Sequence, residues 1–227
     1  MDIVPGIDLP FRIITSLSKG PTARADKFIA VNFLRGLQDD YCKDLLKDST
    51  MFLQCLDGLE TNLDYIGDRD YLFNKDIEAL YDSLDREHVE ASLREAMVEC
   101  RPECKWTEDL VNWLIIGVKL SLNSAVGKFG ETWYKSKDGV ATGGKLCVYI
   151  ANIYVFYAFK RIINNDVNNV VNNLLYFVRF VDDCTGGWRG TLQEFYRWFV
   201  KVYKYLDVHF NIKLTFDIKP ANMFIEF

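Results

Sequence analysis

Two adjacent aspartates in an apolar segment are the residues of this 227-residue chain best suited to chemistry. Asp182 and Asp183 follow the mostly apolar run 174–181 and precede Gly186-Gly187, so we expect them at a tight turn between two strands. Neighbouring carboxylates repel each other and favour protonation unless a cation compensates their charge. Asp is also a common turn residue, and an ordinary hairpin turn explains this segment equally well.

A second acidic strand, 72–81, favours the chemical interpretation because it contains Asp76 in a similar setting. If Asp76 and Asp182 lie on neighbouring strands, they can hold two hard divalent cations, which clamp the attacking and leaving oxygens of an in-line phosphoryl transfer. Magnesium suits such a sparse site because it keeps water and phosphate oxygens among its ligands. The acids therefore indicate nucleotide polymerisation with two Mg²⁺ ions, which Mn²⁺ can replace.

Several further segments occur in an order that matches one protein family. They are Pro10–Ser16, Asp76–Tyr81, Gly139–Asn152, Arg179–Asp183, His209–Asp217 and Phe224–Phe227. Together they resemble the motifs of reverse transcriptases, most closely those of Penelope-like retroelements, and the resemblance covers nearly the whole chain. The chain departs from the family pattern at Lys145 and Val148, which replace prolines, at Tyr149, which replaces a small polar residue, and at Phe180, which replaces tyrosine.

The resemblance implies roles for four residues around the metal ions. It makes Asp76 and Asp182 the metal ligands, assisted by the backbone carbonyl of Ile77. It places Asp183 beside the site, where this residue orients the primer end.

The resemblance also implies a nucleotide-binding set. Tyr81 stands where the family excludes the ribose 2′-hydroxyl, with a core aromatic as the alternative. Arg12 is a candidate for the triphosphate, because a guanidinium pairs bidentately with phosphate oxygens. Gly143 and Gly144 allow close approach of the backbone to template and nucleotide, and Lys145 adds charge there. Lys213 is a candidate general acid for the leaving pyrophosphate, with a solvated lysine at a strand edge as the simpler alternative.

The implied architecture is an α+β right-hand polymerase fold, in which helices back an antiparallel palm sheet that carries the acids. Residues 1–70 are expected to form a mainly helical part of the fingers, and 71–227 the palm, with a fingers-side hairpin region within 105–140. Because no room remains for a thumb, we expect a fragment, a truncated copy or an isolated domain.

Hydrophobic periodicity predicts the individual elements. Residues 22–57 are mainly helical, Asp85 and Thr107 can each cap a helix, 124–138 indicates a hairpin, and 145–163 is an apolar helix. Thr191 and Glu194 form a capping box that opens another helix. The alternation of Val208, Phe210, Ile212, Leu214, Phe216 and Ile218 predicts a strand.

Charge and cysteine content constrain the partners and the compartment. The formal charge is −5, divided into −10 over residues 57–109 and +5 over the remainder. The basic remainder can face nucleic acid, although a solvated surface of mixed sign explains it equally well. Six cysteines, with neither zinc spacing nor a signal peptide, indicate free thiols inside the cell, in the nucleus or the cytoplasm. The longest apolar run, 146–159, is too short to span a bilayer, so no membrane partner is expected.

Two functions from different classes follow from the sequence. The first is an RNA-directed DNA polymerase that uses an RNA template, a DNA primer and deoxynucleoside triphosphates (dNTPs). The second is a non-catalytic nucleic-acid-binding palm left by a decayed or domesticated retroelement. Retention of Asp76, Asp182 and Tyr81 together favours the enzyme, because binding alone requires none of them.

Overall fold

A mixed α+β fold with an antiparallel sheet is found in the computed structural model of the chain, as predicted. The structure describes residues 20–62, 70–100, 106–129, 131–135, 138–165, 173–215 and 217–220. The helices are α1 (Ala23–Ile29), which continues through a π-helical segment (Ala30–Leu34) into α2 (Arg35–Tyr41), then α3 (Ser49–Asn62), α4 (Leu80–Ser83), α5 (Arg86–Glu99), α6 (Glu108–Asn123), α7 (Cys147–Asn165) and α8 (Leu192–Phe210). The strands are β1 (Asp70–Glu78), β2 (Val126–Phe129), β3 (Thr132–Lys135), β4 (Leu174–Phe180), β5 (Asp183–Arg189), β6 (Lys213–Leu214) and β7 (Asp217–Pro220).

The chain divides into two compact units. Unit 1 consists of Met1–Tyr41 and Tyr81–Tyr154, and unit 2 consists of Cys42–Leu80 and Val155–Phe227. The fingers and palm boundary expected near residue 70 is not tested by this division and stays a prediction.

Two helices of unit 1, α5 and α6, begin with side-chain caps. Asp85 accepts backbone hydrogen bonds from Glu87 and His88 at the start of α5, and Thr107 accepts one from Leu110 at the start of α6. Both caps were predicted, and both satisfy donors that a helix start leaves open. The predicted hairpin is β2–β3, an antiparallel pair.

Unit 2 contains the larger sheet, whose central strand is β1. Strand β5 pairs antiparallel with β1 along one side and with β4 on its other side, while β6 and β7 both pair with β1. A cross-strand ion pair fixes one end of β1, since Arg189 donates to both carboxylate oxygens of Asp70 at 2.9 and 2.8 Å. Residues 71–74 of β1 are paired on both edges, with β5 on one side and β7 on the other.

Alternation along β1 gives the sheet two chemically different faces. Phe73, Lys75 and Ile77 are buried, whereas Asn74, Asp76 and Glu78 are exposed. Helix α8 covers the Phe73 side, where Phe195 lies 5.2 Å from the Phe73 ring and 5.5 Å from the Trp188 ring. The carboxylate of Asp76 therefore lies on the face that α8 does not cover.

Two glycines of β5 let aromatic rings lie directly on the strand. A Cβ at Gly186 would collide with the ring of Phe73, and one at Gly187 would lie 2.7 Å from Tyr176 Cε1. Because Gly186 and Gly187 alternate in direction, the two rings cover opposite faces of the sheet. Because the two glycines have no side chains, the rings of Phe73 from β1 and Tyr176 from β4 cover the sheet at this point.

Helix α8 begins as predicted but extends further than predicted. Thr191 and Glu194 form the reciprocal capping box, and Phe195, Phe199, Val202, Leu206 and Phe210 form the buried face. The predicted strand over 208–218 is wrong in its first part: Val208 and Phe210 belong to α8, whose C-cap Asn211 is in the left-handed conformation with φ 51°. Among the residues described after α8, the short strands β6 and β7 follow. The helical spacing of Leu206 and Phe210 extends the buried stripe of α8 and overrides the alternation there.

No helix within the described part of the chain is long and apolar enough to cross a membrane. This includes α7, whose residues Ile150–Val155 are completely or almost completely buried. The predicted buried helix at 145–163 is confirmed as α7.

Candidate active site

The two acidic segments singled out by the sequence lie side by side in unit 2. Strand β1 and strand β5 are in register so that Asp76 stands directly opposite Asp183. The backbone N–H of Ile77 donates to the carbonyl of Asp182 at 3.2 Å, so the hairpin turn continues the pairing. Directly opposed residues of an antiparallel pair have Cβ atoms about 5 Å apart. Asp76 and Asp183 therefore lie on neighbouring strands, and Asp182 lies in the turn just before β5.

Asp182 occupies the second position of a two-residue turn between β4 and β5. Phe180 pairs with Asp183 across the turn, and Val181, the first turn residue, has φ 56°. A positive φ at this position is typical of tight hairpins and is normally supplied by glycine. For a β-branched side chain it is strained by about 1–3 kcal/mol, so contacts outside the turn must hold it.

Arg179 supplies those contacts from the strand just before the turn. Its completely buried guanidinium donates through Nη1 to the Val181 carbonyl at 2.8 Å and through Nε to Asp44 Oδ2 at 3.1 Å. The backbone also joins this network, since Arg179 N donates to the Asp44 carbonyl at 2.8 Å. Arg179 therefore ties the strained turn to the loop before α3.

A third segment holds the other side of Asp76. The backbone N–H of Thr215 donates to the Asp76 carbonyl at 3.0 Å, and the Asp76 N–H donates to Thr215 Oγ1 at 3.3 Å. Strand β5 pairs with the other edge of β1 at this point, where Asp183 faces Asp76. The backbone of Asp76 is therefore held by neighbouring segments on both sides.

The electrostatics of the three acids favour a cation. Partial burial is the largest cause that raises the pKa of Asp76, followed by the charges of Asp182 and Asp183, while a hydrogen bond from the Ile77 backbone acts in the opposite direction. Charges that raise the pKa of a neighbouring carboxyl are the ones a divalent cation relieves. Oxygen donors of this kind suit Mg²⁺, so the residues fit the expected metal.

The described residues do not form a ready-made metal cage. Among them no group of three or more His, Cys, Asp and Glu side chains is arranged to hold a metal ion. The roles of Asp76, Asp182 and the Ile77 carbonyl as ligands stay predictions.

Lys213 lies near this site at the start of β6. It is exposed and stands opposite Glu78, two residues beyond Asp76, while its neighbour Leu214 pairs with Ile77. An exposed ammonium on the sheet edge is compatible with a general acid and with a solvated lysine, the two interpretations that the sequence left open. Its role as a general acid therefore stays a prediction.

The remaining described nucleotide-binding candidates belong to unit 1, where Tyr81 adjoins the loop before α7. The N–H of Val140 donates to the Tyr81 carbonyl at 2.7 Å. Gly139, with φ +67°, approaches so closely that an added Cβ would lie 2.7 Å from the Tyr81 carbonyl oxygen. The half-buried Tyr81 is thus next to the glycine-containing loop.

The loop itself is a compact turn that leads into α7. The N–H of Gly144 donates to the Ala141 carbonyl at 3.1 Å, and Cys147 Sγ donates to the same carbonyl at 2.6 Å. Burial is the main cause that raises the pKa of Cys147 to about 12, so this thiol stays protonated. Gly143 and Gly144 are half-buried and Lys145 is exposed, while Arg12 lies outside the described residues.

Sequence reasoning missed two residues beside the acids. Arg179 was noticed only as part of a motif, and its partner Asp44 lies 135 residues away, which no local pattern indicates. The second is Lys75, which is only 4% exposed although it neighbours Asp76 in sequence. The sequence signal for its burial was its position in a strand between the apolar Phe73 and Ile77, at the spacing of two residues that places all three side chains on one face.

Lys75 is enclosed by aromatic rings under α8. Its Nζ lies 3.7 Å from the ring centroid of Phe199 and 5.1 Å from those of Phe73 and Trp198. Burial lowers the pKa of Lys75 to about 7, and the facing Cys184 acts in the opposite direction. The ring faces attract the charged ammonium, which explains how a lysine is accommodated there.

Comparison with solved structures identifies the fold. The chain matches telomerase from Candida albicans in complex with the TWJ fragment of telomeric RNA, with TM-score 0.65 and 13% identity over 90% of this chain and 36% of that chain. Truncated apo telomerase from Candida tropicalis gives TM-score 0.63 and 12% identity over 90% of this chain and 42% of that chain. An RNA polymerase complex inside a dsRNA virus gives TM-score 0.56 and 9% identity over 86% of this chain and 18% of that chain.

These similarities show a polymerase-like fold of the reverse-transcriptase kind. No protein-family model and no curated protein sequence matches the chain. The chain spans less than half the length of each of these structures. The predicted relation to Penelope-like retroelements is not tested by these matches.

Proposed function

We propose that this chain is the polymerase portion of an RNA-directed DNA polymerase, which transfers a nucleotide from a dNTP to a primer 3′-hydroxyl on an RNA template. The observation that carries the proposal is the register that sets Asp76 opposite Asp183 beside the Asp182 turn. A fold shared with telomerase supports it, and the Asp76 and Asp182 pair is the feature that a binding module would not require.

The chain's own residues would bind and orient the reactants. Asp76 and Asp182, with the Ile77 carbonyl, would hold two Mg²⁺ ions, which supply Lewis-acid stabilisation of the charge developing on the transferred phosphoryl group. Asp183 would orient the primer end. The N–H of Thr215 donates to the Asp76 carbonyl, and the N–H of Ile77 donates to the Asp182 carbonyl. These bonds would hold β1 and the turn in position before substrate arrives.

Selection of the sugar is proposed to rest on Tyr81. Its ring would exclude a ribose 2′-hydroxyl by steric conflict, which is discrimination against the wrong substrate. The loop of Gly143, Gly144 and Lys145, which adjoins Tyr81, would contact template and nucleotide through its backbone. Arg12 would bind the triphosphate, and Lys213 would protonate the leaving pyrophosphate.

Substitution of Asp182 tests the proposal. Asp182→Asn removes a charged ligand while keeping the shape of the turn, and should lower Mg²⁺-dependent primer extension on an RNA template by at least about two to three decades. Glu78→Gln is the control, because it also removes one carboxylate charge, and Glu78 lies on β1 on the same exposed face as Asp76. The control should retain extension.

Metal binding gives a second measurement that does not depend on turnover. Mn²⁺ titration followed by electron paramagnetic resonance should show binding by the wild type and by Glu78→Gln, and weakened binding by Asp182→Asn and Asp76→Asn. Equal Mn²⁺ affinity in all four proteins would contradict the proposed site.

A further inference from the structure

The outward face of α8 carries a row of three cations that the proposed polymerase site does not use. Arg197, Lys201 and Lys204 follow each other at steps of four and three residues, so they lie along one side of the helix. All three are exposed, and none is in an ion pair with another described residue. We call these three residues the basic row.

The basic row is unusual in a chain with a formal charge of −5. Helix α8 carries two acids. The carboxylate of Glu194 is already bonded to the N–H and hydroxyl of Thr191 in the capping box, and the half-buried Asp207 lies three residues beyond Lys204. Tyr196 and Val200 lie beside the row and are 41% and 45% exposed. The surface therefore combines three exposed cations with an accessible aromatic ring.

The basic row lies on the opposite side of the sheet from the acids. The buried face of α8 packs on the side of β1 that carries Phe73 and Lys75, and Asp76 projects from the other side. The basic row therefore projects from the side of α8 that points away from the sheet. A nucleic-acid segment bound to the basic row would be a different segment from the one that the carboxylates bind.

The length and charge of the row match a nucleic-acid backbone. Seven residues of helix span about 10 Å, so the row runs along the backbone of a few consecutive nucleotides. Each of the three cations can meet one phosphate within or at the ends of that stretch. Bases stack on exposed aromatic rings whatever their identity, and Tyr196 offers such a ring at the edge of the row.

From this arrangement we propose that the basic row and Tyr196 form a second binding site, for single-stranded nucleic acid, on the face of unit 2 opposite the acids. An anionic membrane fits less well, because the continuous apolar face of α8 is buried in unit 2 and is not available for insertion. The proposal goes beyond polymerisation, since it uses none of the residues assigned to that reaction.

Salt-dependent binding tests the proposal. Fluorescence anisotropy would follow a labelled uridine or thymidine oligonucleotide of about 12 nucleotides binding to the 227-residue chain without divalent metal. Releasing three contacts to a single strand should lower the slope of log affinity against log salt by about 2. Between about 50 and about 200 mM salt, the wild type should then lose about 16-fold more affinity than the variant R197Q/K201Q/K204Q.

A matched variant separates the basic row from net charge. R24Q/K27Q/R35Q removes three exposed cations from unit 1, so it changes the net charge equally, and its slope should stay close to that of the wild type. Tyr196→Ala should weaken binding about tenfold through lost stacking, with the slope unchanged. Uridine and thymidine oligonucleotides should behave alike, because phosphate contacts do not read the base.

Several outcomes would overturn the proposal. These are a slope change in R24Q/K27Q/R35Q as large as in R197Q/K201Q/K204Q, no slope change in R197Q/K201Q/K204Q, or row-dependent binding to phosphatidylserine-containing vesicles without binding to oligonucleotides. Asp182→Asn should bind the oligonucleotide like the wild type. Binding to the basic row can therefore be confirmed or refuted whether or not the chain extends a primer.

Discussion

Replacing Lys75 with methionine is expected to stabilise unit 2 at neutral pH. The side chain is 4% exposed and enclosed by Phe73, Trp198 and Phe199. Methionine has a similar length and no charge, so it can fill the same space without desolvating an ammonium. The aromatic enclosure would then contact a thioether, which also packs well against rings.

The size of the effect follows from the pKa of Lys75, which falls from 10.5 to about 7 on folding. A shift of this size corresponds to about 5 kcal/mol of destabilisation when the unfolded lysine is fully charged. Between pH 7 and pH 10.5 the unfolded chain binds more protons than the folded one, so stability rises with pH in this window. Below pH 7 the full penalty remains. From pH 7 to about pH 9, the wild type should gain about 2 kcal/mol that Lys75→Met lacks.

Urea unfolding at several pH values measures this difference. Trp198 lies against Lys75 and its ring stacks on Trp188 at 5.4 Å, so tryptophan fluorescence reports on the region concerned. The free energy of unfolding of Lys75→Met should exceed that of the wild type at pH 7, and the two should converge toward pH 9. Lys201→Met, a change at an exposed position, serves as the control and should follow the wild type.

Parallel stability curves for Lys75→Met and the wild type would refute this reasoning. They would mean that the ammonium stays charged in the folded protein across the whole range. The attraction of the surrounding rings would then outweigh burial, and the pKa of Lys75 would lie near its ordinary value.

Three further predictions concern residues near the proposed reaction. Arg179→Met should lower the free energy of unfolding by about 3–5 kcal/mol, because it leaves the Asp44 carboxylate without its buried partner; thermal unfolding measures this, and Arg179→Met combined with Asp44→Leu should recover much of the loss. Tyr81→Ala should raise the incorporation of ribonucleotides relative to deoxyribonucleotides in primer extension while leaving Mn²⁺ binding intact; an unchanged ratio would make Tyr81 a core aromatic. Val181→Gly should raise the free energy of unfolding by up to about 1 kcal/mol, because glycine adopts the positive φ of the turn without strain; a lower melting temperature would contradict this.

Local patterns predicted the parts of the fold that depend on local interactions. The capping box at Thr191 and the caps at Asp85 and Thr107 involve residues within three positions of each other, so their chemistry is visible in the sequence. The metal interpretation required Asp76 and Asp182 to lie on neighbouring strands, and the order of motifs within a resembling family then favoured that interpretation. The sequence around Asp182 and Asp183 alone fitted an ordinary hairpin turn and a metal site equally well.

The misses concern interactions that no local pattern encodes. The strand predicted over 208–218 failed because the same residues fit both a two-residue and a helical period, and Asn211 decided where the helix ended. Lys75 was overlooked because lysine is seldom buried. The Arg179–Asp44 pair joins segments that only the folded chain brings together.

The side-chain-free stretch at Gly186 and Gly187 has a consequence for the order of folding. With no side chains there, the β4–β5 hairpin gains much of its apolar cover only when Phe73 of β1 arrives. Strands β1 and β5 are far apart in the chain, as the 119 residues between Asp70 and Arg189 show. Contacts of such long sequence separation form slowly. The acids on these strands should therefore come together late in folding, so partly folded chains exist for a time without an assembled acidic site.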